Sequence, residues 1–383
     1  MIVKHVLKMI NRIIPKTDKE VVFVDGRFYP DAIYALLSEY ARSTNKKEFR
    51  KISVVQTQKL NPYISLPNII FIPYGKIRFF FRVFRAKYII TDIMFGDEYL
   101  SKEQIVVNIW HGVGLKSILG LTNEYSNRKK PLATYAMSYS DYFNSIVSKC
   151  FLIQPDKVLP SGSPRNDLFY SGKKTDLNLL YPNIGDFKKI VIWMPTYRQS
   201  SKASSADDGK EYPYGIPLVD EKNIVVLDES LRSHDVFLII KHHVLQDKQS
   251  ILPVKLTNIL IITSEDVLDT GISLYQLIGQ CDALITDYSS IFFEYMSLDR
   301  PICYAYDDYD EYNSKRGFMF EKPKELMVGY HANTIDQLML FVQDLARGVD
   351  IYEDDRRSCI KKMNLYTDNL NSKRLLSLLH FIE

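Results

Sequence analysis

The residues with the most chemical content stand where short apolar runs end. The run Ile105–Ile109 passes into Trp110-His111-Gly112-Val113-Gly114, which sets an imidazole between a large aromatic and two glycines. Glycines let a substrate approach the backbone closely, and an imidazole titrates near neutrality, so His111 is placed for proton transfer. The plainer reading is a histidine that only bonds a neighbouring loop. The run Val236–Ile240 ends in Lys241-His242-His243, a cation and two imidazoles suited to the negative charge of a phosphoryl group in transfer. Adjacent residues leaving a strand point to opposite sides, so one histidine of the two faces a ligand. A surface pair and a metal site are the competing readings, and no carboxylate or cysteine stands at ligand spacing to complete the latter.

A third run, Ala283–Thr286, turns through Asp287-Tyr288-Ser289-Ser290 into a helical pattern from Ile291. Hydroxyls and free N–H groups at such a turn attract anions, which makes Ser289 and Ser290 candidates to hold a diphosphate. Asp287 or Ser289 is equally a helix cap by residue type. The acidic stretch Asp307–Tyr312 leads to Arg316-Gly317-Phe318, where the guanidinium either grips a phosphate or neutralises the acids before it. Two more loops, Met194-Pro195-Thr196-Tyr197-Arg198 and Gly162-Ser163-Pro164-Arg165-Asn166-Asp167, each join a rigid proline to an arginine.

Such groups need a scaffold that gathers strand ends, and the chain has the rhythm of one. Val21–Val24 precedes a helix from near Pro30, followed by the runs Ile52–Val55, Ile69–Ile72, Tyr88–Thr91 and Ile105–Ile109. Loop-forming residues cluster between 170 and 188 and mark a boundary. Strand-like runs resume at Ile190–Trp193, Ile224–Leu227, Val236–Ile240, Ile259–Ile262, Ala283–Thr286 and Pro301–Tyr304, while the polar run Gln199–Gly209 reads as a mobile surface loop. Alternation of this kind predicts an α/β chain of two Rossmann-type, doubly wound domains facing a central cleft, with ligands at the carboxyl ends of the strands. The expected divisions are a basic amphipathic helix over 1–18, domains over 19–180 and 188–360, and a C-terminal helix over 361–383.

Bulk composition narrows the class. At 383 residues, 46% hydrophobic and 25% charged, the chain suits a folded globular protein with two domains. A net charge of +3 makes no case for nucleic acid. Cys150, Cys281, Cys303 and Cys359 lie far apart without a CxxC pair, as reduced thiols of a cytosolic protein do. No run approaches the roughly 18 to 20 apolar residues of a spanning helix, and the N-terminus has no secretory pattern, so the chain is expected to be soluble or peripheral. Residues 2–16 nonetheless set Ile2, Val3, Val6, Ile10, Ile13 and Ile14 at helical spacing among Lys4, Lys8, Arg12 and Lys16. Phe79, Phe80, Phe81, Val83 and Phe84 alternate in the same manner with Lys76, Arg78, Arg82, Arg85 and Lys87. Both patterns fit an anionic membrane surface, and both fit a helix packed on the core.

Taken in order, Trp110-His111-Gly112 with Leu115-Lys116, Ser163–Asp167, Met194–Arg198, Lys241–His243, Thr286–Ser290, Arg300-Pro301 and Arg316–Phe318 resemble the motif series of the CDP-glycerol glycerophosphotransferase family, which includes the teichoic-acid primases and polymerases. The resemblance implies a GT-B-like fold and no cofactor, metal or covalent intermediate. His111 would be the base that activates an acceptor hydroxyl. His243 would contact the donor phosphates, where a protonated imidazole offsets charge on departing CMP. Donor binding would fall to Ser289, Ser290, Arg316, Asp287, Thr196, Arg198 and Lys241 in the C-terminal domain, and the acceptor side to Gly112, Lys116 and Arg165 in the N-terminal one. Implied partners are CDP-glycerol or CDP-ribitol, a lipid-linked teichoic-acid or capsular polymer acceptor, and the cytoplasmic face of the membrane. The chain departs from the family where WHG is followed by Val113-Gly114 and Lys116-Ser117 instead of Thr-Pro and two lysines. A GT-B glycosyltransferase using a nucleotide sugar and a non-catalytic membrane-associated scaffold are the alternative functions.

Overall fold

The computed structural model describes the chain apart from residues 1, 26–30, 44–50, 57–68, 76, 96–99, 111, 126, 171–175, 199–208, 243–254 and 383. The chain folds into two compact units, one of Met1–Val113, Leu119–Leu168 and Asp368–Glu383, the other of Gly114–Ile118 and Phe169–Thr367. The change of unit falls at 168/169, just ahead of the 170–188 boundary read from the sequence. The last sixteen residues return to the first unit, and Gly114–Ile118, just past the WHG motif, belong to the second.

Unit 1 is built on a seven-stranded sheet of β1 (Thr17–Asp25), β2 (Lys51–Gln56), β3 (Ile69–Pro73), β4 (Ala86–Thr91), β5 (Ile105–Asn108), β6 (Tyr135–Ser138) and β7 (Val158–Pro160). The order is β3-β2-β1-β4-β5-β6-β7 with every pair parallel. This is the doubly wound pattern, whose strands are apolar on both faces because crossover helices cover both. Its two outermost strands after β5 have four and three residues, too short for their apolar content to stand out in the sequence.

Unit 2 carries β8 (Lys189–Met194), β9 (Val236–Lys241), β10 (Ile259–Ile262), β11 (Ala283–Thr286), β12 (Ile302–Ala305) and β13 (Tyr330–Ala332), all parallel, in the order β10-β9-β8-β11-β12-β13. One expected strand is a helix: Ile224–Leu227 lies inside Glu221–Ser233. Asp220 caps that helix by accepting from the N–H groups of Lys222 and Asn223, and Ile224, Leu227 and Leu231 recur at helical spacing on the buried face while Val226 is exposed. A four-residue apolar run has no period of its own, and the cap decided the matter.

The N-terminal helix runs Ile2–Ile13, stopping short of Pro15, so Thr17 and Asp18 already belong to β1. Val6, Met9, Ile10 and Ile13 stand exposed on it. The helix Ile77–Arg85 buries Phe79, Val83 and Phe84 but exposes Ile77 (86%) and Phe81 (53%). Gln104 ties the two helices together: its Oε1 accepts from Asn11 Nδ2 at 2.7 Å, and its Nε2 donates to the carbonyls of Val83 and Ala86 at 2.6 and 2.9 Å. At the far end of the chain, helices Glu353–Lys362 and Asn371–Leu378 replace the single helix expected over 361–383.

Candidate active site

In unit 1 the backbone after β5 takes an unusual course. Trp110 has φ +41 and Gly112 φ +122, so the backbone on both sides of His111 lies in the left-handed half of conformational space. A tryptophan there is strained, and only the neighbouring contacts hold it. Its N–H donates to Asn108 Oδ1 at 2.8 Å, its ring meets Phe151 edge-on at 5.8 Å, and Val113 N donates to Tyr139 Oη at 3.2 Å. Gly112 is required because a Cβ is disfavoured at that φ. His111 itself, like His243, lies outside the described residues.

The loop after β7 supplies Arg165, half-buried in the 3-10 segment Pro164–Tyr170. Two residues on, Asp167 has a structural task. Its carboxylate accepts from Asn371 N, Asn371 Nδ2 and Ser372 N at 2.8–2.9 Å, fastening the first turn of helix Asn371–Leu378.

In unit 2 the ends of β8, β11 and β12 are stitched by a buried network. Asp287 accepts from Thr196 N (3.0 Å) and Thr196 Oγ1 (2.6 Å) and pairs with Arg198 Nη1 at 2.9 Å. Arg198 also donates from Nε and Nη2 to the two oxygens of Asp308 at 2.6 and 3.2 Å. Tyr288 Oη donates to Asp308 at 3.0 Å, and the guanidinium lies 5.0–5.8 Å from the ring centroids of Tyr212, Tyr288 and Tyr312. The two carboxylates beside it hold the guanidinium's pKa well above its usual range, against the opposing effect of burial. Thr196, Arg198 and Asp287 are therefore brought together, with hydrogen bonds spent on one another and on Asp308. Asp287 is not the cap of the following helix. Asp308, read from the sequence as one of an acidic run, is the member that sequence reasoning missed; its partner is 110 residues away and no local signal marks it. Two other members of that run are also paired, Asp307 with Lys210 and Tyr212, and Glu311 with Lys315.

Ser289 and Ser290 remain half-buried at the turn this network holds, and the Ser290 side chain makes no capping bond to helix Ile291–Tyr295. Arg316 ends helix Tyr309–Lys315, its N–H on Tyr312 O at 2.8 Å, with Gly317 at φ +76 beside it. Arg300, from the same motif series, caps the end of helix Leu274–Gln280 by donating to the carbonyls of Gly279 and Cys281. At the end of β9, Lys241 is buried, bonded to His242 O at 2.7 Å and Ser264 Oγ at 3.0 Å, and burial lowers its pKa to about 7. Burial and that neighbouring cation push the His242 imidazole down as well. Among the described residues no group of three or more His, Cys, Asp or Glu is placed to hold a metal ion.

Lys116 was expected on the acceptor side, with Gly112 and Arg165. It lies in unit 2 instead: the stretch Gly114–Ile118 runs antiparallel to Arg316–Met319, with Ser117 N on Gly317 O at 3.1 Å and Met319 N on Leu115 O at 2.7 Å. Gly112 and Arg165 are in unit 1.

The fold recurs in solved proteins. The wall teichoic acid polymerase TagF aligns at a TM-score of 0.73 and 20% identity, covering 98% of this chain and 93% of that one, and a TagF variant soaked with CDPG aligns at 0.70. A putative UDP-N-acetylglucosamine 2-epimerase of Listeria monocytogenes aligns at 0.58 and 14% identity over 95% and 97% of the two chains. The architecture is thus GT-B-like. Among curated proteins, the teichoic acid ribitol-phosphate primase of Bacillus spizizenii is 27% identical over 57% of this chain and 56% of its own length. The teichoic acid glycerol-phosphate primase of Bacillus subtilis is 27% identical over 74% of each. The chain spans little more than half the length of the ribitol-phosphate primase, and 52% of a poly(ribitol-phosphate) polymerase from the same Bacillus spizizenii strain. With residues 6–380 matching its sequence pattern, the chain belongs to the CDP-glycerol:poly(glycerophosphate) glycerophosphotransferase family.

Proposed function

We propose that the protein transfers a polyol phosphate, glycerol phosphate or ribitol phosphate, from a CDP-activated donor to a lipid-linked teichoic-acid or capsular polymer, releasing CMP. The observation that carries this reading is the family match over nearly the whole chain, with Thr196, Arg198, Lys241, Asp287, Ser289 and Ser290 standing at strand ends. Ser289 and Ser290, on a turn fixed by Thr196, Arg198, Asp287 and Asp308, with Arg316 and Lys241, bind the donor's diphosphate. Fixed donors cost no reorganisation when charge gathers on the leaving group. His111 takes the proton from the acceptor hydroxyl. His243 offsets charge on the departing CMP. Gly112 and Arg165 serve the acceptor.

A polar donor and a lipid-tethered acceptor meet at the cytoplasmic face of the membrane, and the protein binds there peripherally. Support comes from helices Ile2–Ile13 and Ile77–Arg85, which expose Val6, Met9, Ile10, Ile13, Ile77 and Phe81 next to the exposed cations Arg12, Arg78 and Arg85. Apolar side chains flanked by cations complement an anionic bilayer surface. No helix among the described residues is long and apolar enough to cross a membrane.

The test incubates purified protein with CDP-glycerol, CDP-ribitol or a panel of nucleotide sugars, plus a lipid-like acceptor, and identifies the nucleotide released. CMP supports the proposal. UDP or GDP would make the protein a glycosyltransferase, and no turnover with any donor would favour a scaffold.

A further inference from the structure

The stretch Gly114–Ile118, one residue past the WHG motif, belongs to unit 2. Gly114 and Leu115 are buried, and a Cβ at Gly114 would lie 3.1–3.2 Å from the Cβ, Cα and N of Ser290. That distance is tighter than ordinary side-chain packing tolerates without a shift. Lys116 bridges Phe318 through its backbone and sets its ammonium 5.6 Å from the ring centroid of Tyr197, the residue between Thr196 and Arg198. The strand-like pairing of Leu115–Ser117 with Gly317–Met319 fixes where that ammonium starts from.

We propose that Gly114–Ile118 is a donor-side strap: its Gly114 sets the position of the Ser290 turn, and Lys116 contacts the anionic phosphates of the donor. The inference rests on the transferase reading above and deepens it by assigning Lys116 to the donor. Three observations carry it: the contact of Gly114 with Ser290, the pairing with the Arg316 loop, and the half-buried Lys116 side chain on the Tyr197 ring. An ammonium beside an aromatic face is a hydrogen-bond donor group whose positive charge suits a diphosphate.

Calorimetric titration of CDP-glycerol and of CDP into the full chain, with steady-state kinetics against the acceptor, tests the strap. Lys116→Met should weaken both ligands about 10- to 100-fold, the loss of one charge-assisted hydrogen bond, with the acceptor KM unmoved. Lys116→Arg should recover most of the binding. Should Lys116→Met bind CDP-glycerol like the parent while its acceptor KM rises, Lys116 is an acceptor residue and the inference falls, the transferase reading standing. If the parent binds neither CDP-glycerol nor CDP, that reading fails and takes this inference with it. Gly114→Ala is the second variant, leaving Lys116 in place and moving the Ser290 turn. Weaker donor binding at constant acceptor KM supports the strap, and unchanged donor binding overturns it.

Discussion

Replacing Arg198 by methionine tests whether the network behind the Ser290 turn is as tightly balanced as its geometry indicates. The guanidinium is 2% exposed and faces Asp287 and Asp308, whose side chains are fully buried. Methionine keeps an unbranched apolar stem but removes the guanidinium and leaves two carboxylates without a cation. Thr196 still donates twice to Asp287 and Tyr288 once to Asp308, so part of the desolvation stays compensated. Breaking a buried ion pair from one side costs about 3–5 kcal/mol, because the surviving charge is left in a poor solvent. For a unit near two hundred residues that corresponds to a fall of about 6–20 °C in melting temperature. Asp308→Asn removes one of the two negative charges and leaves Arg198 paired with Asp287, so it should cost less. In the double variant Arg198→Met/Asp308→Asn the buried charge is halved, and the loss should fall short of the summed single losses by about 1–3 kcal/mol. Scanning calorimetry and urea denaturation of the four proteins close the cycle. A melting temperature within about 2 °C of the parent for Arg198→Met, or additive single losses, would show that the network is not what holds these strand ends.

Other consequences can be measured independently. His111→Ala should lower CMP release more than about 100-fold with little change in donor affinity, as expected for a lost general base. Lys241 carries a folded-state pKa of about 7 against an ordinary 10.5. Below about pH 7 the folded protein must hold a buried ammonium. From there to about 10.5 the unfolded chain binds the extra proton, so stability rises with pH, by about 2–3 kcal/mol between pH 7 and 9. Lys241→Met should flatten that rise in urea titrations at the two pH values. Ile10→Glu with Phe81→Glu should reduce sedimentation with phosphatidylglycerol vesicles at least tenfold and leave turnover of a soluble acceptor unaltered. Asp167→Ala removes three accepted hydrogen bonds from the start of helix Asn371–Leu378 and should destabilise unit 1 by about 1–2 kcal/mol, seen as faster amide exchange across that helix.

Much of this architecture is legible in the order of residues because its information is local. A parallel strand buried on both faces reads as a continuous apolar run, and β1, β4, β5, β8, β9, β10, β11 and β12 all do. Candidate chemistry follows from the same rule, since ligands gather where such strands end, and Thr196, Arg198, Lys241 and Asp287 occupy those ends in the structure. Short outer strands such as Val158–Pro160 and Tyr330–Ala332 carry too few residues for a period, and the Ile224–Leu227 run belongs to either regular structure until the Asp220 cap is seen.

Residue types at apolar-run ends thus determined which groups have catalytic or anion-binding potential, because side-chain chemistry and the alternation of strand and helix are written over a few neighbouring positions. Which groups spend that potential on one another was decided only by the folded chain. Arg198 meets Asp308, Gly114 meets Ser290, Lys116 meets Tyr197, and Asp167 meets Asn371 across 80 to more than 200 residues. Pairings at that range are set by strand order and crossover geometry, which no local run of sequence encodes.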